Sequence, residues 1–370
     1  MIVIADDITG AAEIAGIAFS QGQQVRLLCS GSVCGDTIAT NGTTVIATDT
    51  RSMTEAEAIA ETRRRASQLP PLTSHPSPLT PHLFKKTDSA LRGHVIAELS
   101  ALMEATGCRR AVFLPANPSK GRVIRDGVYY INDTPIADTD FRFDPEFPAK
   151  TSVLKERFPD AARHHIFIPD AESEADIKRI IATYNDGHTL FAGAADLFTA
   201  LLFGNKDESD APLQRHLPSP PEDTSGLLIL CGSTQSKPQD IGIPISPMPR
   251  EVYDGQEDLG LWDTSQYAAA QSLILTIPYT HRTGKTAAVH LRTMMAAKAK
   301  ALISQHRPSQ LIIEGGATAW ATLQALGWTT FEVVRQIAPG VVQLRSACGT
   351  LVTLKPGSYP WNTSIPTINR

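Results

Sequence analysis

Short, almost purely apolar runs alternate along the first half of the chain with longer stretches in which apolar positions recur at helical spacing. Residues 2–5, 24–29, 43–48, 82–86, 111–114, 165–169 and 189–193 read as strands, and residues 11–21, 54–68, 94–106, 174–184 and 195–203 as helices. Thr54, with Glu57 three positions later, has the form of a capping box. Residues 69–81 are Pro-rich, and residues 115–127 are broken by Gly and Pro, so both are expected to be connections. Residues 226–230, 272–277 and 310–313 restart the strand pattern, with helices over 287–305 and 317–326 and closing strands at 333–337, 341–344 and 351–354.

Apolar runs without polar alternation suit strands covered on both faces. The expected fold is therefore α/β, with two domains, each a mostly parallel or mixed sheet covered by helices. The composition turns polar, charged and Pro-rich just before the second half. This places a first domain at 1–205, a linker at 206–225 and a second domain at 226–370.

The 370 residues suffice for two cores. A net charge of −4 at pH 7 leaves no electrostatic footprint for nucleic acid or an anionic membrane. No apolar run approaches the roughly 20 residues a membrane span needs. The N-terminus lacks the basic and apolar regions of a signal peptide, so a cytoplasmic location is expected. Cys29, Cys34, Cys108, Cys231 and Cys348 have no metal-ligand spacing, and no metal ligands are assigned. Thr283-Gly284-Lys285-Thr286 resembles the end of a P-loop, but Tyr279 stands where that pattern needs its first glycine.

Candidate chemistry gathers where strands end. Asp6-Asp7-Ile8-Thr9-Gly10 follows the first strand: one carboxylate can cap the next helix while the other accepts a hydroxyl proton. Lys85-Lys86-Thr87-Asp88-Ser89-Ala90-Leu91-Arg92-Gly93 follows another strand and reads either as a solvated loop or as a grip on a hydroxylated anion. Pro115-Ala116-Asn117-Pro118 with Lys120-Gly121-Arg122 is either a stiff surface turn or an anion approach. In the second half, Gly232-Ser233-Thr234 and Gly315-Gly316-Ala317-Thr318 each open a helix after a strand, where backbone amides favour phosphate. Lys355-Pro356-Gly357 follows the last strand.

In this order the motifs resemble the four-carbon acid sugar kinase family, whose members include threonate, erythronate and oxo-tetronate kinases. The resemblance runs through Ile4–Ala11, the Lys85–Gly93 segment, Pro115-Ala116-Asn117-Pro118 with Gly121-Arg122, and Pro169-Asp170-Ala171. It continues through Gly232-Ser233, Gly315-Gly316, Pro339-Gly340 and Lys355-Pro356-Gly357. It implies an N-terminal domain for a sugar acid, a C-terminal domain for ATP with Mg²⁺, and an active site in the interdomain cleft. In that scheme Asp7 or Asp6 acts on the substrate hydroxyls, and Lys86, Asp88, Ser89, Arg92 and Asn117 hold the acid. Gly232, Ser233, Gly315, Gly316, Thr318, Lys355 and Gly357 hold the nucleotide. The implied reaction is phosphorylation of a four-carbon sugar acid, at its terminal hydroxyl. The rival readings are a kinase of another short hydroxy acid and a non-catalytic sensor. The partners expected are thus the acid and ATP, with no nucleic acid or membrane, and a homodimer is left open. Two departures lie on the nucleotide side: Ala317 where members usually carry an acid, and Gly357-Ser358-Tyr359-Pro360-Trp361 in place of a Gly-Phe-Gly ending.

Overall fold

The computed structural model describes residues 1–29, 42–69, 83–144, 146–203, 226–232, 241–282 and 284–357. The expected linker 206–225, residues 70–81, Ser233 and Ser358 to Trp361 lie outside the described residues. Two compact units emerge, one from the described residues of Met1–Val25 and Gly31–Leu213, the other from those of Arg26–Ser30 and Gln214–Arg370.

The first unit is built from β1 (Ile2–Ala5), α1 (Ile8–Ser20), the start of β2 (Gln24–Cys29), β3 (Gly42–Ala47) and α2 (Glu55–Ala66). It continues with β4 (Leu83–Lys86), α3 (Val95–Thr106), β5 (Arg110–Leu114), β6 (Arg122–Arg125), β7 (Val128–Ile131) and β8 (Thr134–Pro135). It closes with α4 (Leu154–Arg157), β9 (Ile166–Phe167), α5 (Glu174–Tyr184), β10 (Thr189–Gly193) and α6 (Ala195–Phe203). Strands β3, β1, β4, β10, β5 and β9 lie side by side in that order, all parallel. Every residue of β1, β4 and β10 is buried, as a sheet covered on both faces requires. Successive β4 side chains prove the two covers. Lys85 turns toward α3, where its ammonium meets Glu98 at 2.6 Å, and Lys86 turns toward Glu13 of α1 at 3.5 Å. Lys85 is thus part of the core, with Thr50 donating to the same Glu98 oxygen at 2.7 Å.

Residues 115–127 are not the plain connection the sequence suggests. A 3-10 turn leads into β6, which pairs antiparallel with β7 as a hairpin, and β8 adds to it. Both strands are only four residues long, and β6 begins and ends on Arg122 and Arg125 before a turn at Asp126-Gly127, so no apolar run of strand length marks β6.

The second unit contains β11 (Leu227–Cys231), β12 (Ile245–Pro247), α7 (Arg250–Asp254), α8 (Gln266–Ala270), β13 (Ser272–Thr276), α9 (Lys285–His306) and β14 (Gln310–Glu314). It ends with α10 (Gly316–Leu326), β15 (Thr330–Ala338), β16 (Val341–Ser346) and β17 (Leu351–Lys355). Its sheet is mixed: β12, β13, β11, β14 and β17 run parallel, then β16 and β15 antiparallel. The Arg26–Leu28 part of β2 completes it, paired antiparallel with Thr330–Glu332 of β15. Lys285 starts α9 behind a left-handed Gly284, with no strand directly before it, which fits a helix start and not a P-loop.

Candidate active site

In the first unit β1 is followed in sequence by β3 on one side and, later, by β4 on the other. Ligands of such sheets bind at this reversal, outside the carboxyl ends of the strands. Ala5 is in register with both Ala47 and Lys86, so the segments after β1, β3 and β4 emerge side by side.

Asp7 is extended and caps α1, its Oδ1 accepting from the Gly10 amide at 2.9 Å and its Oδ2 accepting from the Thr9 hydroxyl. Asp6, buried, takes a forked bond from a residue that no sequence motif had singled out. Arg51 donates from Nε at 3.0 Å and from Nη2 at 2.9 Å. The same Nη2 lies 3.0 Å from Asp7 and 3.9 Å from Asp88. One guanidinium therefore serves three carboxylates. Its position follows from the turn after β3: Asp49 takes a left-handed φ of 55°, Thr48 donates to the Ala5 carbonyl at 2.9 Å, and the Arg51 amide donates to Asp6 O at 3.2 Å. The signal for Arg51 was only its place just past an apolar strand.

Asp88 is held by Arg92, Nε at 2.6 Å, across a turn in which Leu91 has φ 62°. That left-handed leucine is kept in place by Arg157, whose Nη2 donates to its carbonyl at 3.0 Å. The Ser89 hydroxyl accepts from Arg122, and the buried Tyr129 hydroxyl sits 2.6 Å from Ser89 O and 3.1 Å from Pro115 O. Asn117 is buried too, but its Oδ1 accepts the Asp196 amide at 2.9 Å in the first turn of α6. The structure thus gives Asn117 a scaffold task, while Lys86, Asp88, Ser89 and Arg92 gather beside Asp6 and Asp7.

The three acids are unequal. Burial raises the Asp6 pKa and neighbouring Asp7 adds to it, which the shared Arg51 does not offset. Burial acts on Asp7 in the same sense, but Arg51, Lys86 and the Thr9 hydroxyl outweigh it and hold Asp7 below the usual range. Asp88 is likewise buried, yet Arg51 and Arg92 hold it well below that range.

In the second unit β11, β14 and β17 are neighbours, with Cys231, Glu314 and Lys355 in register at their ends. Gly232, Gly315, Gly316 and Gly357 are thereby brought to one edge. Gly315 has φ 94°, a conformation that favours glycine, and α10 begins with no side-chain cap. Its first amides are the kind of donors a phosphate finds. Gly232 lies so close to α10 that an added Cβ would fall 1.9 Å from Thr318 Oγ1. Lys355 is turned inward: its ammonium meets Glu314 at 2.6 Å, both side chains fully buried. Beside them burial, with Glu314 near, pushes the Cys231 thiol up.

Among the described residues, no group of three or more His, Cys, Asp or Glu side chains is arranged to hold a metal. The Asp6, Asp7 and Asp88 oxygens are engaged by arginines. These three carboxylates thus offer no open cage for a resident divalent cation.

Residues 1–165 match the sugar-binding N-terminal domain and residues 264–359 the nucleotide-binding C-terminal domain. The fold and these two domains define a class, a two-domain α/β protein with one domain for a sugar and one for a nucleotide. Over 156 residues the chain is 33% identical to a D-threonate kinase of Salmonella typhimurium, which spans 42% of this chain and 35% of that protein. It is 25% identical to a 3-oxo-tetronate kinase of Brucella melitensis across 96% of this chain and 92% of that one. A solved Haemophilus influenzae structure of the DUF1537 family has the same fold, with a TM-score of 0.68 and 20% identity over 96% of both chains. The chain belongs to the four-carbon acid sugar kinase family.

Proposed function

We propose that this protein is an ATP-dependent kinase of a four-carbon sugar acid, with its acceptor at the terminal hydroxyl. The observation that carries this reading is the meeting of Arg51, Asp6, Asp7, Asp88, Lys86 and Arg92 at the reversal point of a sheet in the domain that matches sugar binders. Guanidinium and ammonium groups attract the acid, and carboxylates accept hydrogen bonds from its hydroxyls. Asp7 takes the role of base. Arg51, Lys86 and the Thr9 hydroxyl outweigh burial and hold its carboxyl below the usual range, whereas burial raises that of Asp6. The substrate hydroxyl oxygen bonds to the γ-phosphorus, the bond to the bridging oxygen breaks, ADP leaves, and the hydroxyl proton passes to Asp7. Gly232, Gly315, Gly316 and Thr318, with Ser233 and Gly357, hold the phosphates through backbone amides and short side chains. Lys355 acts beneath them, fixing Glu314 and the strand ends.

The test is ADP release from ATP and Mg²⁺ with a panel of sugar acids. Turnover on a four-carbon acid is expected. Turnover confined to longer acids would replace it with another hydroxy-acid kinase, and ATP binding without turnover on any acid would overturn it in favour of a sensor. Arg92→Ala is expected to weaken binding of the acid and leave ATP affinity nearly unchanged. Equal loss of both would refute the roles given to the two domains.

A further inference from the structure

The hairpin that the sequence reading missed delivers Arg122 to the acid-binding residues. Arg122 opens β6 directly after Gly121, whose left-handed φ of 64° and close approach to Asn132 bring the chain back along β7. Its Nη1 donates to the Ser89 hydroxyl, and its Cζ lies 6.0 Å from the centre of the Phe141 ring. Arg92 approaches the same ring at 5.9 Å. Arg92 has carboxylate partners in Asp88 and, at 3.7 Å, Asp144, while Arg122 pairs with no carboxylate among the described residues. Two guanidiniums gathered at one aromatic ring, one of them uncompensated, repel unless an anion lies between them. The arrangement is also stiff, because Tyr129 fastens Ser89 from below.

We propose that Arg122 and Arg92 form a clamp for the substrate's carboxylate, with Phe141 setting their spacing and the Ser89 hydroxyl at its edge. The inference rests on the sugar-acid reading above and deepens it. A planar fork recognises a planar carboxylate, so the site selects acids over the matching amides or alcohols of equal length. Charge-assisted hydrogen bonds of this kind change affinity by roughly 10- to 100-fold.

Calorimetry and turnover with threonate, erythronate and the amide of each test it, in the wild type, Arg122→Gln and Arg122→Lys. In Arg122→Gln, acid affinity is expected to fall by roughly 10- to 100-fold, with the amide and ATP little changed, and Arg122→Lys to recover part of the loss. Equal losses on acid and amide would show a structural role and overturn the clamp, as would unchanged acid affinity. Wild-type binding of an acid without phosphorylation would defeat the kinase reading alone, and the Arg122→Gln titration would still decide the clamp. If the wild type binds neither acid, both fall.

Discussion

Arg51 is the residue on which the first unit's charge balance turns. Removing one partner of a buried ion pair costs on the order of 3 kcal/mol, because the other charge stays behind. Here three carboxylates stay behind. Arg51→Gln is therefore expected to lower stability by about that amount at pH 8 and to raise the pKa of Asp6, Asp7 and Asp88. A carboxylate whose folded pKa is raised adds stability below its unfolded value and loses it as pH rises through the folded one. The variant should therefore regain stability between pH 8 and pH 5 in urea titrations. In the wild type Asp7 and Asp88 are depressed, so their contribution holds throughout that window and is lost only in stronger acid; Asp6 alone runs the other way. A wild-type gain as large as the variant's would refute the shared-cation account. Arg51 was illegible in the sequence because its neighbours in the site are distant in the chain and its own surroundings form no motif. Lys86, Asp88 and Arg92 stood in one dense segment and were legible.

At the scale of elements, α10 approaches the chain just past β11 closely at Gly232. Gly232→Ala would set a methyl 1.9 Å from Thr318 Oγ1 and 2.7 Å from its Cβ, forcing the first turn of α10 to shift. A loss of about 1–3 kcal/mol is expected, with weaker ATP binding and unaltered binding of the acid. Adding Thr318→Ala removes the Oγ1 and Cγ2 contacts, leaves the Cβ one, and should restore part of the stability, as denaturation can check. The strands and helices themselves were largely readable. The Thr54 capping box is present, with Thr54 N donating to Glu57 at 2.9 Å, and α5 and β10 occupy the ranges their periodicity predicts. The β6–β7 hairpin escaped because both strands are only four residues long and β6 is half arginine. Lys355 was expected to hold the nucleotide because sequence cannot tell an ammonium that faces a ligand from one pointing at a buried glutamate on the next strand.

At the scale of the molecule, the two units are not consecutive pieces of chain. Arg26–Leu28 gives the second unit its strand beside β15, and Cys29 donates its amide N–H to Thr329 O at 2.7 Å while its carbonyl accepts from Gln324 Nε2 at 3.2 Å. Residues 226–370 expressed alone would expose the edge of β15 around Phe331. They are expected to associate or melt below the intact chain, and a peptide of residues 24–29 should raise the melting temperature. A fragment that stays monomeric and melts like the whole protein would refute this. The same pairing sets an order of events at the ribosome. The segment at Arg26 emerges first and waits for a partner made about 300 residues later. At 5–20 residues per second that delay is on the order of 15–60 s. Through that interval the edge that this strand offers to β15 stays open to strangers, so the nascent chain's exposure to chaperones is written into its topology.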